Sequence, residues 1–306
     1  MTSVAKRAAE RRALQGFTLI EILVVIAIIG LLAGIGFTAF GGARAFFGGA
    51  TAKARLDDLS QVLEAYKLEH GEYPPDACAT PAEIRRHILK RWKKALKGGN
   101  VEGMVDYVCD DVYEFDANGV AQNPGAALLF WLAGPDQEGF SADEEKPFGP
   151  GSDADDVRET PALELAFDSD GTGGGNYNDK GLMFKGNPIA YFRADGDGCY
   201  HGKDFHVGPD NVAAPYMKNG RWINDKSFQL ILPGEDGLYG SDPFAEGEEH
   251  GAHSHGHSEA GHVHAHDGEC DEYVGRDLAD SSTLSSGERD NVTNFAAGAT
   301  LESEME

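Results

Sequence analysis

The sequence predicts an α+β protein: one long N-terminal helix packed on a small antiparallel β-sheet, with helical and loop inserts. Three observations carry this. Residues 22–43 are a run of 22 residues without a charge, and a helical apolar pattern continues from there to His70. Alternating apolar residues, the mark of half-buried strands, occur later in the chain. They stand at Leu163, Leu165 and Phe167, at Ile189 and Tyr191, and at Phe228, Leu230 and Leu232. Connections between these elements are short-range, which favours α+β.

The first element begins with a basic leader. Residues 1–16 carry Lys6, Arg7, Arg11 and Arg12 against Glu10, a balance of +3 in a 306-residue chain whose formal net charge is −25. The remainder is near −28. So acidic a surface excludes nucleic-acid binding, which needs cations to neutralise phosphates. At ~1.5 Å per residue the apolar run is long enough to cross a hydrocarbon core of ~30 Å. The leader then stays cytoplasmic by the positive-inside rule, weakened slightly by Arg44, Lys53 and Arg55 on the far side. Glu21 is the one carboxylate in the span. There it costs roughly 2.5–3.5 kcal/mol, so it requires a partner charge. A secretory signal has a core of only about 7–15 apolar residues, and a plain signal anchor has no use for a buried glutamate.

Outside the span, Leu56, Leu59, Val62, Leu63 and Tyr66 recur at three- and four-residue spacing on one helical face. Gly71, Pro74 and Pro75 stop the helix. From residue 17 to 70 it measures roughly 80 Å. Gly30 and Gly34 permit close helix approach in a membrane.

Residues 76–150 read as a helical insert. Thr80-Pro81-Ala82-Glu83 is a capping box with proline at the first helical position. Ile84, Ile88, Trp92 and Leu96 follow on one face, and Gly98-Gly99 end the helix. The other face carries Arg85, Arg86, Lys90, Arg91, Lys93, Lys94 and Lys97. It is either a solvated face or a surface for an acidic patch of its own domain or of a neighbouring copy. A short apolar helix at 124–133 packs inside. Residues 151–240 form the β-sheet domain, introduced by an acidic loop at 141–160. Residues 241–288 are a His- and acid-rich insert, and 289–306 a C-terminal segment.

Four cysteines occur, Cys78, Cys109, Cys199 and Cys270, none in a C-x-x-C pair, which argues against a zinc knuckle or thioredoxin-like site. Cys78–Cys109 would bracket one helical insert and is the first pairing to consider; four free thiols are the alternative. No P-loop, dinucleotide fingerprint or G-x-S-x-G elbow occurs, so no enzyme is expected. His253, His255, His257, His262, His264 and His266 interleave with acids in a segment of low complexity. Imidazole there suits zinc or another divalent transition metal.

Gly16-Phe17-Thr18-Leu19-Ile20-Glu21, followed by the apolar run, resembles the prepilin signal of type IV pilins and type II secretion pseudopilins. The resemblance implies that prepilin peptidase cuts between Gly16 and Phe17 and that Phe17 is then N-methylated. It implies that Glu21 pairs with the N-terminal ammonium of a neighbouring subunit. Residues 17–43 are then the transmembrane part of the helix and 44–75 its outer half. Three further segments resemble the major pseudopilin of type II secretion: Glu64-Ala65-Tyr66-Lys67-Leu68-Glu69-His70-Gly71-Glu72-Tyr73-Pro74, Gly186-Asn187-Pro188-Ile189-Ala190-Tyr191, and Phe228-Gln229-Leu230-Ile231-Leu232 followed by Gly234-Glu235-Asp236-Gly237.

That likeness implies a structural subunit of a periplasmic fibre. Its partners would be the peptidase, other pilin-like subunits in a homopolymer and an inner-membrane assembly platform. The chain would cross the inner membrane once, N-terminus cytoplasmic and C-terminal domain periplasmic or extracellular. It implies calcium at the acidic loop, with Asp236 in the first position and Asp290 in the later one. A rival loop begins at Asp168-Ser169-Asp170-Gly171, and plain Asp/Gly turns remain the alternative for both. Two other functions stay open: a type IV pilus subunit for adhesion or DNA uptake, and a membrane-anchored metal-binding or metal-sensing protein acting through its His-rich loop.

Overall fold

The computed structural model describes residues 19–114, 125–135, 137–149, 157–162, 182–184, 187–200, 205–208, 211–234, 236–240, 276–280, 284, 288–298 and 300–305. Helix α1 spans Leu19–His70. Contacts divide the chain into two units, Met1–Phe47 and Gly48–Glu306. In the first, Leu19, Ile20, Leu23, Val24, Val25, Ile26 and Ile28 expose 49–82 % of their surface. Among the described residues no helix is long and apolar enough to cross a membrane. The side chains at 29–48, on which the expected span depends, lie outside the described set.

In the second unit α1 ends at Gly71, whose φ of +81° is the left-handed turn that glycine adopts freely. Four helices follow: α2 Pro81–Arg91, α3 Ala95–Gly98, α4 Val101–Asp106, which runs into a π-helical turn at Tyr107–Val112, and α5 Ala126–Ala133. The strands are β1 Met183–Phe184, β2 Asn187–Pro188, β3 Ala190–Arg193, β4 Phe205–Gly208, β5 Asn211–Ala213, β6 Tyr216–Lys218, β7 Arg221–Trp222, β8 Phe228–Leu232, β9 Arg276–Asp277 and β10 Val292–Thr293. The central sheet is antiparallel, in the order β10-β8-β3, with Ala190 opposite Ile231, Arg193 opposite Phe228 and Val292 opposite Leu232. The expected strand at 163–167 lies outside the described residues.

Strand alternation makes this sheet a middle layer. Phe228, Leu230, Leu232, Tyr191 and Val292 join the α1 stripe of Leu56, Leu59, Leu63 and Tyr66 in one apolar cluster. Ala190, Phe192 and Ile231, on the opposite face, join a second cluster built largely from the insert helices. Helix α5 is buried along all eight residues because it divides the two, with Leu128 and Leu132 in the first cluster and Phe130 and Trp131 in the second. The polar residue in β8 is satisfied by pairing with backbone. Gln229 accepts from Tyr216 N at 2.7 Å and donates to Tyr216 O at 2.9 Å and Ile223 O at 2.8 Å, which ties β6 to the central sheet.

The insert keeps its predicted start and departs from its predicted end. Thr80 and Glu83 form the reciprocal capping box. The helix stops at Arg91, with Trp92 leaving helical geometry as its C-cap, and restarts at Ala95. The break turns Leu96 outward, 62 % exposed, so it does not continue the Ile84–Ile88–Trp92 face. Arg91 is likewise no surface cation. Its guanidinium stacks over Trp92 and Phe140 at 4.4 Å, donates to Tyr66 Oη at 3.0 Å and pairs with Glu159 at 3.1 Å. The Cys78–Cys109 bridge does not form: neither thiol is in a disulfide, whereas Cys199 is. Cys78 precedes α2 and packs against the edge of the insert's apolar core, whereas Cys109 lies within the π-helical turn and is part of that core.

His87 is the polar pivot between insert and α1. It is 1 % exposed. Its Nδ1–H donates to Glu72 Oε1 at 2.7 Å and its Nε2 accepts from Tyr66 Oη at 2.7 Å, so the neutral ring is satisfied at both nitrogens. Burial, opposed by Glu72 and reinforced by Arg193 and Arg91, pushes its pKa down to about 4. Burial, Arg91 and His87 likewise push His70 down to about 4.

Two outcomes are expected. Leu63→Ala, in the stripe, should cost about 2–5 kcal/mol in urea denaturation, and Leu68→Ala, 87 % exposed, within about 0.5 kcal/mol of nothing. Stability should also fall as pH drops from 6.5 to about 4. In that window the unfolded chain takes up protons that the folded His87 refuses, an effect of up to roughly 3 kcal/mol that levels off below the folded pKa. His87→Leu should start less stable at pH 7.5 and lose less by pH 4.5; an equal loss in both proteins would clear His87 of the effect.

Candidate functional site

Beyond Leu232 the chain turns through Pro233 and Gly234 into the acidic loop. Asp236 Oδ1 accepts from Leu238 N at 2.8 Å, a self-closing Asp turn, and Gly237 (φ +75°) donates to Gly234 O at 3.3 Å. The Asp290 carboxylate lies directly over Gly234, where any Cβ would meet both of its oxygens. Only glycine lets the loop come this close. Asn291 locks the approach. Its Oδ1 accepts from Gly234 N at 3.2 Å, and its Nδ2 donates to Tyr239 O at 2.7 Å and Tyr216 Oη at 3.0 Å. Asn211 holds the other side, accepting from Tyr239 N at 2.7 Å and donating to Gly237 O at 3.3 Å.

The structure thus brings Asp290 against the loop that carries Asp236, across more than fifty residues of sequence. The Asn187-Pro188 strand meets the same place. Asn187 Oδ1 stands 3.6 Å from where a Cβ on Gly237 would be, and Pro188 O accepts from Tyr239 Oη. Among the described residues no group of three or more His, Cys, Asp or Glu is placed to hold a metal ion. Gly16, Phe17, Asp168 and the histidines His253, His255, His257, His262, His264 and His266 lie outside the described residues, as does the side chain of Glu21.

One feature of this region was not legible as a site. Arg276 and Glu288, each 1 % exposed, form an ion pair at 2.7 Å. Arg276 also donates to Val212 O at 2.7 Å and Tyr239 O at 3.4 Å, and the Glu288 side chain packs over Gly240. Tyr239 and Arg276, on either side of residues 241–275, are therefore held by one network. The only sequence signal is that Arg276 is the first cation after Lys226. A buried charge of that kind needs a partner.

Residues 11–37 match the family described as the prokaryotic N-terminal methylation motif. A fimbrial protein of Neisseria meningitidis serogroup B (strain ATCC BAA-335 / MC58) is 34 % identical over 80 residues, which cover 25 % of this chain and 47 % of that protein. The chain thus spans about half the length of this relative. No solved structure matches. The methylation motif and the fimbrial relative support a type IV pilin-like protein.

Proposed function

We propose that the chain is a pseudopilin, a non-catalytic structural subunit of a periplasmic type II secretion fibre. Prepilin peptidase would remove residues 1–16 and methylate Phe17. The subunit would then sit in the inner membrane as a single-pass protein, its leader end cytoplasmic, and polymerise on an assembly platform. The observation that carries this reading over other pilin-like roles is a convergence. The three segments 187–188, 234–239 and 290–291 meet at one loop, and two of them were singled out by likeness to the major pseudopilin. The exposed apolar side chains between Leu19 and Ile28 are supporting evidence, since a surface of this kind requires lipid or neighbouring helices. The fimbrial relative favours a second reading, a subunit of a type IV pilus. Deleting the chain's gene decides between them: loss of a secreted folded enzyme with surface pili intact supports the first, loss of pili or of DNA uptake the second.

Processing is the direct test of the shared part. Gly16→Val should leave the leader in place, because the residue before the cut must lack a side chain, and mass spectrometry of the membrane fraction would read it. Glu21→Val should be cut and inserted normally, since it removes the costliest group in the span. It should not assemble, because the neighbour's ammonium is then stranded in lipid. Normal fibres from Glu21→Val would assign the carboxylate another role.

Calcium fits the acidic loop in donor type. Asp236 and Asp290 supply carboxylates and the turn supplies backbone carbonyls, the oxygen ligands this ion takes. Gly234 lets the Asp290 carboxylate lie directly against the loop, where a Cβ would overlap it. A bound cation there would neutralise both carboxylates and fasten residues 234–240 to residue 290. Calcium at a hundred times its Kd should raise unfolding free energy by about 2.7 kcal/mol, a gain that Asp236→Ala and Asp290→Ala each remove. Equal melting with calcium and with chelator would reduce the loop to a set of turns. Zinc binding by the His253–His266 segment stands as a separate proposal about that loop alone and needs no role in assembly.

A further inference from the structure

We infer that the exposed basic face at the α2–α3 junction docks on the exposed acidic face of α1 in a second copy of this chain. This inference rests on the polymer reading above and specifies one contact within it.

The acidic face follows from helix geometry. At about 100° per residue Leu68 stands about 200° around α1 from Tyr66, opposite the buried stripe, and is 87 % exposed. Asp58, Gln61, Ala65 and Glu69 are exposed on the same side. Asp57 is paired with Lys53 and Glu64 accepts from Tyr73 Oη. Asp58 and Glu69, about 16 Å apart along the axis, make no ion pair among the described residues. The face carries an exposed leucine at its edge beside Glu69, with a second uncompensated carboxylate, Asp58, about 15 Å from the leucine along the axis.

The basic face is its counterpart. The helix break after Arg91 turns Ala95 inward and leaves Lys93, Leu96 and Lys97 exposed. On the inner side, a Cβ on Gly98 would strike the Glu145 carbonyl, so this turn cannot rotate to bury Leu96. Lys93 and Lys97 make no ion pair among the described residues, whereas the neighbouring Lys94 reaches Glu144 at 3.5 Å. The face is an exposed leucine between two uncompensated ammoniums.

A lone exposed leucine is ordinary. Two of them, each on a face whose uncompensated charges are of one sign and the signs opposite, form a complementary pair. Charge balance also selects the partner. Copies of a chain with net charge −25 repel one another, whereas Lys93 and Lys97 present exposed positive charge that no carboxylate among the described residues pairs. A neighbour of the same sequence is therefore attracted through this face and repelled through most others. The two faces are different surfaces of one subunit. Their contact is heterologous and adds copies in an open series, where a self-complementary patch would stop at a dimer.

The test uses the full chain in membranes where it forms fibres. Lys93→Glu with Lys97→Glu should cut fibre yield at least tenfold without lowering the melting temperature, and so should Asp58→Lys with Glu69→Lys. All four changes in one chain should restore yield, because every contact regains opposite charges. Independently, Leu68→Cys with Leu96→Cys in one chain should give an oxidised ladder of oligomers that neither single change gives. If wild-type fibres form but the reversals leave yield unchanged, or the fourfold variant fails to recover and no ladder forms, this contact is wrong while the pilin reading stands. If the basic reversal alone abolishes fibres without rescue or ladder, the face serves a different protein and the inference falls. Absence of fibres from the wild-type chain would remove the polymer reading and this contact with it.

Discussion

Leu56, Leu59, Leu63 and Tyr66 on α1 bury fully against Phe228, Leu230 and Leu232 of β8, Tyr191 of β3 and Val292 of β10. The Gly48–Glu306 unit depends on that contact. A sheet this small needs its apolar face covered to be stable, and the helix supplies that cover. Covering one face then exposes the need to cover the other. Ala190, Phe192 and Ile231 point away from α1, and the insert helices with β4–β7 supply the second core. The insert is thus the second cover of the sheet. The linker between the layers is pinned through its carbonyls: Tyr191 Oη donates to Pro74 O at 2.8 Å, and Arg193 to Tyr73 O at 3.3 Å.

Much of this was readable in advance because it rests on local periodicity. The α1 stripe, the capping box at Thr80, the buried helix before Gly134 and strands β3 and β8 all announce themselves within a dozen residues. Asp290 was legible as a partner of the Asp236 loop only through resemblance, since nothing local ties residue 290 to residue 236. What escaped was decided by tertiary contact. A run of Ile84, Ile88, Trp92 and Leu96 satisfies helical spacing, yet the chain leaves the helix at Trp92, whose ring packs against Phe140 and Phe148. Arg91 looked like one cation among seven. Aromatic rings on three sides and Glu159 make its burial affordable. The cysteine pairing failed for a similar reason, because position along the sequence does not set which thiols the fold brings together.

The polar interior divides into groups that fix geometry and groups that respond to conditions. Gln229 and Asn291 carry no charge and act as side-chain substitutes for strand pairing. Asp277 closes the β6–β7 turn by accepting from Asn219 N and Gly220 N, at 2.9 and 2.7 Å. His87 differs in kind. It is neutral only while the surroundings allow, and it joins the end of α1 to the insert through Tyr66 and Glu72. Acid therefore acts first at the seam between the helix and its second cover.

The Arg276–Glu288 pair sets the terms on which residues 241–275 can vary. Folding normally charges a chain for bringing the ends of a long excursion together, and the charge rises only slowly with length. Here Tyr239 and Arg276 are already joined by buried contacts that belong to the core. The two ends of this 35-residue stretch are thus set by the core itself, and the cost of bringing them together is met by contacts outside it. A change in the length of that stretch therefore leaves the Tyr239–Arg276 closure in place, because the atoms that make it belong to the residues on either side.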